Sequence, residues 1–359
     1  MTTSAKRQSN LAGFFVGLAI VVALAFVARL LKLQVYNIKD IGLGIPGKSL
    51  EYPLWAAILG LIVNYILRTA KVYDFVKPGF RTELFLKIGL VLLGAGISFK
   101  VIVTAAGGAI LQALILVTCV YFFSWWLGGK FGLPDTLRAV MSTAISICGV
   151  SAAIAAAGSV LAKKEEITYV TALVIVTALP LMVIAPLIAG AIGLPEPIAG
   201  AWFGGNVDTT AAVVGAGTIY GKTAQQIASI VKQTQNALIG VVAFLLALYF
   251  SMVVEGKKER PSAMVIWQRF PKFVLGFIVT SLLFTFGAIQ KDPGAAIAAL
   301  KDWAFCLAFV CMGLELSVGQ IKKMGWNPVI VYLIVTVFNT LLALLVAWAI
   351  FGWLFPASL

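Results

Sequence analysis

Apolar residues occur in blocks of roughly 20 that are separated by short polar connections, from residue 11 to residue 353. A block of about 20 apolar residues crosses the ~30 Å hydrocarbon core of a bilayer as a helix. The blocks lack the period-two alternation of a transmembrane β-strand, so helices must satisfy the backbone hydrogen bonds in lipid. The pattern predicts an all-α integral membrane protein with about eleven transmembrane helices, at 11–31, 52–68, 82–98, 101–127, 136–162, 167–193, 197–219, 223–253, 267–289, 296–318 and 328–353.

The amino-acid composition supports a membrane-embedded protein and argues against nucleic acid as a partner. Hydrophobic residues make up 61% of the chain and charged residues only 11%, against about 25% charged in a soluble domain. The net charge of +13 would indicate nucleic-acid binding in a soluble protein. Here the lysines and arginines cluster in the short connections, so we expect a lipid bilayer and no nucleic acid as partner. Their distribution predicts a cytoplasmic N-terminus and an external C-terminus, because cytoplasmic loops are enriched in these residues.

The predicted organisation is a single polytopic membrane domain over 1–359. Within it we expect an N-terminal helix and outer loop at 1–50, a first repeat at 51–193 and a second repeat at 194–359. The first helix is expected to be retained, because no small-residue cleavage site ends it before Arg29.

Short similarities between the two halves indicate an internal repeat. Val174–Leu179 in the sixth span resembles Leu333–Phe338 in the eleventh, and Ser146–Gly149 in the fifth resembles Val310–Gly313 in the tenth. Five crossings per half make an inverted 5+5 repeat, which is typical of secondary transporters with discontinuous, crossed helices. A rival pairing of the third span with the tenth leaves no clean division into halves.

A small and polar run in the fifth span is the first candidate site. It contains Ser146, Cys148, Gly149 and Ser151. Glycine among small hydroxyl residues permits a helix break, and the N-terminus of a half-helix carries about half a positive charge, which suits an anion. The alternative is close helix packing through small residues. On the first interpretation, the broken fifth span and its repeat mate, the tenth span, form the central substrate site.

Ionisable and amide side chains at membrane depth extend the candidate site. They are costly in lipid unless they meet water or a partner, so each is a functional candidate. We expect Lys232 to compensate the charge of an anion, and Asp208 and Glu315 to carry a coupling H⁺ or Na⁺. The alternatives are a structural Asp208–Lys232 ion pair and a hydrated Glu315 near the cytoplasmic end. The remaining predicted substrate-binding residues are polar neighbours of these groups: Asn206, Thr209, Thr210 and Asn236.

Other chemistry is not indicated. The chain has no histidine, and its four cysteines fall in apolar spans without metal-ligand spacing. We therefore expect no metal site, no cofactor beyond a coupling ion, and no enzyme activity. Gly13 and Gly17 have the spacing of a helix-pairing motif, which is compatible with a homodimer.

Four stretches in order along the chain resemble the sulfate exporter family of prokaryotic inner-membrane proteins, long described as conserved hypothetical proteins. The resemblance implies a secondary anion transporter with crossed, broken helices in the cell (inner) membrane. The expected function is alternating-access transport of a small anion, sulfate or an organic sulfonate, in the direction of export. A cation/proton antiporter or a channel of the same architecture is the alternative. The stretches are Trp202–Gly217, Ser146–Ser151, Ile230–Asn236 and Gly313–Leu316.

Overall fold

The computed structural model describes residues 3–35, 52–97, 99–250, 252, 264, 267, 272–288, 294–316 and 325–355. The predicted outer loop after the first span and the basic connections before the ninth and eleventh spans lie mostly outside these ranges. The helices of the described residues follow in chain order. They are α1 (Thr3–Val35), α2 (Tyr52–Thr69), α3 (Tyr73–Val76), α4 (Thr82–Gly94), α5 (Phe99–Lys130), α6 (Asp135–Ser146), α7 (Val150–Val160), α8 (Lys164–Ala191), α9 (Glu196–Asn206), α10 (Thr210–Tyr220), α11 (Lys222–Ala237), α12 (Ile239–Tyr249), α13 (Phe273–Thr285), α14 (Gly294–Glu315) and α15 (Asn327–Ala349). A 3₁₀ turn at Lys77–Gly79 follows α3, and a π-helical turn at Ile350–Leu354 follows α15.

Seven stretches of the described helices are long and apolar enough to cross a membrane, which confirms a multi-pass membrane protein. The face of α15 that carries Val337, Leu341 and Leu345 is 60–64% exposed although it is entirely aliphatic. Such a face belongs in lipid, because a soluble protein rarely leaves a contiguous apolar stripe uncovered. The seven stretches are Leu11–Val35, Tyr52–Thr69, Phe99–Lys130, Lys164–Ala191, Lys222–Tyr249, Ala296–Glu315 and Asn327–Leu354.

The chain divides into two compact units. Unit 1 contains Met1–Gly96 and Phe277–Leu316, and unit 2 contains Ile97–Gly276 and Ser317–Leu359. Each unit therefore draws on both predicted repeats, and the inverted repeat itself stays a prediction.

Unit 1 is held together by close backbone contact between α2 and α14. A Cβ on Gly60 would lie 2.4 Å from the carbonyl oxygen of Val310, and one on Gly313 would lie 2.3 Å from that of Ala57. Small residues allow this approach, which is how membrane helices gain packing energy in lipid. Helix α14 runs unbroken from Gly294 to Glu315 through this contact, so the described part of the tenth span contains no break.

The Gly13 and Gly17 face of α1 also packs inside unit 1. A Cβ on either glycine would lie 2.0 Å from a carbonyl oxygen, of Phe75 for the first and Val76 for the second. This motif is therefore already used within the chain, and it no longer supports the expected homodimer.

Candidate functional site

Helices α6 and α7 form a helical hairpin and not one continuous span. The hydroxyl of Thr136, in the first turn of α6, donates a 2.9 Å hydrogen bond to Glu166, in the first turn of α8. The 12 residues of α6 and 11 of α7 would separate these two ends by about 35 Å if they were collinear. The chain therefore turns back at Ile147–Gly149, and the predicted span 136–162 does not cross the unit.

Gly149 makes this turn possible. Its φ of +70° and ψ of −113° lie where a residue with a Cβ is strained. A Cβ on Gly149 would also lie 2.5 Å from Cγ1 of Val174 in α8. The helix break expected in the Ser146–Ser151 run is therefore present, with glycine at its apex.

Helices α9 and α10 form a second hairpin. The carboxylate of Glu196, at the start of α9, accepts N–H bonds of 2.8 and 3.1 Å from Thr223 and Ala224 at the start of α11. The hydroxyl of Tyr220, at the end of α10, donates to the carbonyl of Leu194 just before α9. Both ends of the pair thus lie together, and the predicted span 197–219 also folds back.

The two hairpins approach from opposite ends of α8 and meet at their tips. The open end of the first hairpin contacts the first turn of α8, and the open end of the second contacts the residues that follow its last turn. These two ends are about 42 Å apart, the length of the 28 residues of α8. A Cβ on Gly149 would lie 3.3 Å from the carbonyl oxygen of Asp208 and 3.4 Å from Cγ2 of Thr209. The tips, Ile147–Gly149 and Val207–Thr209, are therefore in contact beside the middle of α8.

Four helix ends converge at this contact. Helices α7 and α10 begin at the tips, and helices α6 and α9 end there. A helix N-terminus presents unpaired N–H groups and about half a positive charge, while a C-terminus presents unpaired carbonyls and the opposite charge. Thr209 satisfies one such donor, because its hydroxyl accepts a 3.2 Å bond from the N–H of Ala212. The tips thus present partial charges of both signs at adjacent positions.

Lys232 of α11 supplies a cation directly at the first tip. Its side chain is 1% exposed, and its ammonium donates bonds of 2.6 Å to the carbonyl of Ile147 and 2.9 Å to Oε1 of Gln235. An ammonium has three N–H donors. The third meets no acceptor within hydrogen-bond distance among the residues that the structure describes.

Asp208 supplies a carboxylate at the second tip. It is buried, and its Oδ2 accepts a 2.6 Å bond from the hydroxyl of Tyr332 in α15. Thr177 of α8 lies beside both groups. Asp208 and Lys232 interact electrostatically, but within the described part of the chain they do not approach within 4 Å as an ion pair. The structural ion pair considered from sequence is therefore not formed.

Two further predicted residues, both asparagines, connect the tips to neighbouring helices. Oδ1 of Asn206 accepts a 2.8 Å bond from the hydroxyl of Thr340 in α15. Nδ2 of Asn236, in α11, donates to Oγ1 of Thr210 at 3.3 Å and to Oε1 of Gln233 at 3.0 Å. These bonds fix the second tip between α11 and α15.

The remaining predicted residues all lie on the first hairpin. The hydroxyl of Ser146 donates to the carbonyl of Thr143 at 3.4 Å, which is a bond within its own helix. Cys148 is buried in the tip, and Ser151, in the first turn of α7, is exposed. Ser146 therefore serves the local helix end, while Cys148 and Ser151 border the tip contact.

Several buried amide atoms near the tips have no hydrogen-bond partner among the described residues. Each costs about 1–3 kcal/mol if it stays unpaired, so their concentration here makes the tips the candidate ligand site. Three are donors: Nδ2 of Asn206, Nε2 of Gln233 and Nε2 of Gln235. Three are acceptors: Oε1 of Gln112, Oδ1 of Asn236 and Oδ1 of Asn339.

Glu315 does not belong to this cluster. It is the last residue of α14 in unit 1, and its carboxylate accepts a 2.9 Å bond from the hydroxyl of Thr82. Its side chain is only partly exposed, so the hydrated alternative considered from sequence is not what the structure shows. The tip site in unit 2 is described without Glu315, and the element whose tip contacts the broken fifth span is α9–α10.

Sequence reasoning missed the contribution of α15. Four polar residues follow one another at spacings of four, three and one, which places them along one side of an otherwise apolar helix. They are Tyr332, Thr336, Asn339 and Thr340. That polar stripe was the available signal. The structure turns it toward the second tip, where Nδ2 of Asn339 donates a 3.1 Å bond to the carbonyl of Asn206.

Comparison with known proteins gives the family. A model described as conserved hypothetical protein 698 matches residues 16–332. The chain belongs to this family. The resemblance that the sequence motifs predicted is therefore confirmed, and the conserved hypothetical protein 698 family is one of membrane proteins.

Curated relatives of this family carry the name UPF0324 membrane protein. One from Rhodopirellula baltica is 36% identical over 318 residues, covering 84% of this chain and 58% of the relative. One from Nitratidesulfovibrio vulgaris is 37% identical over 319 residues, covering 84% and 55%. A third, named TauZ, from Paracoccus denitrificans, is 28% identical over 297 residues, covering 79% and 84%.

The chain spans somewhat more than half the length of the first two relatives. No solved structure matches it.

Proposed function

We propose that this protein is a secondary active transporter that moves a small anion, sulfate or an organic sulfonate, by alternating access in the direction of export. The observation that carries this proposal is the meeting of two helical hairpins from opposite ends of α8, with buried polar groups at the contact. Discontinuous helices that meet near the bilayer midplane are a recurring way to build a transporter site. The proposal assigns the chain no enzyme activity and no cofactor.

The groups that face the contact favour an anion. The N-termini of α7 and α10 contribute unpaired N–H groups and positive partial charge. The third N–H of the Lys232 ammonium and the unpaired amide donors of Gln233 and Gln235 add side-chain donors. Sulfate and sulfonate groups carry three or more oxygen acceptors around one centre, so such a set of donors can surround them.

The hairpins also support a definite topology. With two of the eleven predicted spans folded back, we infer nine crossings with a cytoplasmic N-terminus and an external C-terminus. Lys163 and Lys164 then lie on the same side as Lys130 and Arg138, which strengthens the positive-inside bias. One hairpin is reached from the cytoplasm and the other from outside, as alternating access requires.

Asp208 is the candidate for ion coupling. A carboxylate buried at membrane depth is expensive unless it is neutralised or used. The hydroxyl of Tyr332 donates to it, and Thr177 lies beside it. We assign it the coupling proton. The same observation favours the second candidate function, a cation/proton antiporter. A pH or Na⁺ gradient imposed on proteoliposomes without any anion drives ion flux only in the antiporter.

Ligand-dependent stability tests the anion assignment. Purified protein is melted in sulfate, sulfite, taurine or a carboxylate, against chloride at equal ionic strength. A ligand that binds only the folded form raises the Tm, and we expect this for at least one sulfur oxyanion. Replacing Lys232 by Met, which keeps the apolar stem, should weaken that binding at least roughly tenfold, or about 1.4 kcal/mol.

Lys222→Ala is the matched control, because Lys222 lies on the same helix but is exposed. It should leave the anion-dependent rise in Tm unchanged. The anion assignment is wrong if no anion stabilises the protein, or if Lys232→Met binds as well as the Lys222 variant. It is also wrong if Asp208→Asn and Lys232→Ala both leave substrate flux and its pH dependence untouched.

A further inference from the structure

Lys232 occupies an unusual position at the end of α6. The carbonyls of the last turn of a helix have no intrahelical partner, and the dipole makes that end negative. The ammonium donates 2.6 Å to the carbonyl of Ile147, which caps α6, and 2.9 Å to the side-chain oxygen of Gln235. It is thus a buried cation held by a main-chain oxygen and an amide oxygen.

That oxygen set is what a small metal cation requires. In transporters with broken helices, the freed carbonyls and C-terminal ends of half-helices coordinate Na⁺. Hard cations take backbone carbonyl, amide and carboxylate oxygens as ligands. Here the carbonyl of Ile147 and the amide oxygen of Gln235 supply two of these types and bind the ammonium directly. The carboxylate of Asp208 supplies the third type, beyond ion-pair distance but in electrostatic interaction with the ammonium.

We infer that the ammonium of Lys232 is a tethered cation that holds the place of a coupling Na⁺ at the end of α6. This inference rests on the proposed anion transport and specifies its coupling. Because the cation is covalently attached, it does not travel with the substrate. Anion binding then needs no free Na⁺, and the proton on Asp208 is left as the coupling ion.

Removing the tether should open the position to Na⁺. Lys232→Ala leaves the oxygen atoms that bind the ammonium in place and creates a cavity where the lysine side chain was. Lys232→Met fills that space with an uncharged stem of similar length. The Tm of wild type and both variants is measured in NaCl and in choline chloride at equal ionic strength, without any transported anion.

We expect Na⁺ to raise the Tm of Lys232→Ala by roughly 2 °C over choline, as a ligand near tenfold its Kd would. Wild type and Lys232→Met should melt at the same temperature in both salts. Na⁺-specific stabilisation of wild type would overturn the inference without needing any variant. So would a folded Lys232→Ala protein that does not distinguish Na⁺ from choline.

A second measurement separates this inference from the proposed function. Stabilisation of wild type by a sulfur oxyanion is compared in sodium-free and sodium-containing buffer. An equal rise in Tm with and without sodium supports both the anion transporter and the tethered cation. Stabilisation that requires Na⁺ rejects the tethered cation and keeps the anion transporter. If no anion stabilises the protein in either buffer, the transporter proposal is rejected, while the Na⁺ response of Lys232→Ala still decides the role of Lys232.

Discussion

At the residue scale, the hydrogen bond from Tyr332 to Asp208 is the most consequential side-chain contact of the tip site. Both groups are buried, and the 2.6 Å distance between the hydroxyl and Oδ2 is that of a strong bond. The bond orients the carboxylate toward the tip and supplies a donor that lipid or apolar side chains cannot replace. Loss of the hydroxyl therefore leaves a buried acceptor without that partner.

Tyr332→Phe should lower the free energy of unfolding by about 2 kcal/mol, the range of a hydrogen bond to a charged group. It should also reduce anion flux, because Asp208 loses its orientation. Thermal unfolding in detergent and flux into proteoliposomes measure the two effects.

Tyr169→Phe is the control for this substitution. Tyr169 is equally buried, but its hydroxyl donates a 3.1 Å bond to the carbonyl of Gly325, outside the tip site. We expect it to cost about 1 kcal/mol as a neutral hydrogen bond and to leave flux unchanged. An equal loss of flux in both variants would contradict the role given to Tyr332.

At the scale of elements, the hairpins depend on a few positions that cannot be regular helix. Gly149 provides the first turn through its positive φ and its lack of a Cβ. Thr209 provides the second by capping α10 with its hydroxyl. Gly200 and Gly204 let α9 approach α11, since a Cβ on either would lie within 3 Å of the Ala224 or Ala228 carbonyl oxygen.

Gly149→Ala should destabilise the protein by about 1–3 kcal/mol through backbone strain, with an added cost from overlap with Val174. The control is Gly190→Ala in α8, where a Cβ would meet nothing within 4 Å. Because Ala is favoured over Gly in a helix, that control should be neutral or stabilising. The two substitutions should thus move the Tm in opposite directions.

The double variant Gly149→Ala with Val174→Ala separates the two causes. Removing the Val174 methyl groups relieves the overlap but leaves the φ of residue 149 unchanged. We expect partial recovery of the Tm relative to Gly149→Ala. A single substitution at Gly149 without loss of stability would show that the tip does not need glycine.

At the scale of the whole molecule, the hairpins change which connections share a side of the membrane. Eleven crossings put Lys130 and Lys163 on opposite sides, and nine crossings put them on the same side. Lys222 lies on the other side from Lys163 in the nine-crossing arrangement, because α8 separates them. All three side chains are exposed.

Single cysteines at positions 130, 163 and 222 test this arrangement in a background where the four native cysteines are replaced by alanine. In intact cells, a membrane-impermeant maleimide should label only the cysteine at 222. In inverted vesicles it should label those at 130 and 163. Labelling of 130 and 163 from different sides would restore the eleven-crossing arrangement and reject the hairpins.

The sequence by itself determined that the chain is a helical multi-pass membrane protein, because block length and the cost of unpaired backbone in lipid leave no other solution. It also placed the break at Ser146–Ser151 and marked Asp208 and Lys232, since buried charge is rare enough in lipid to be noticed residue by residue. Only the tertiary structure decided that the fifth and seventh spans fold back. A hairpin of two half-helices and one full helix have the same apolar length, and the contacts that distinguish them join residues far apart in the chain, such as Thr136 with Glu166. The assignment of Glu315 to unit 1 also came only from the structure, because hydropathy records how deep a residue can lie and not which helices surround it.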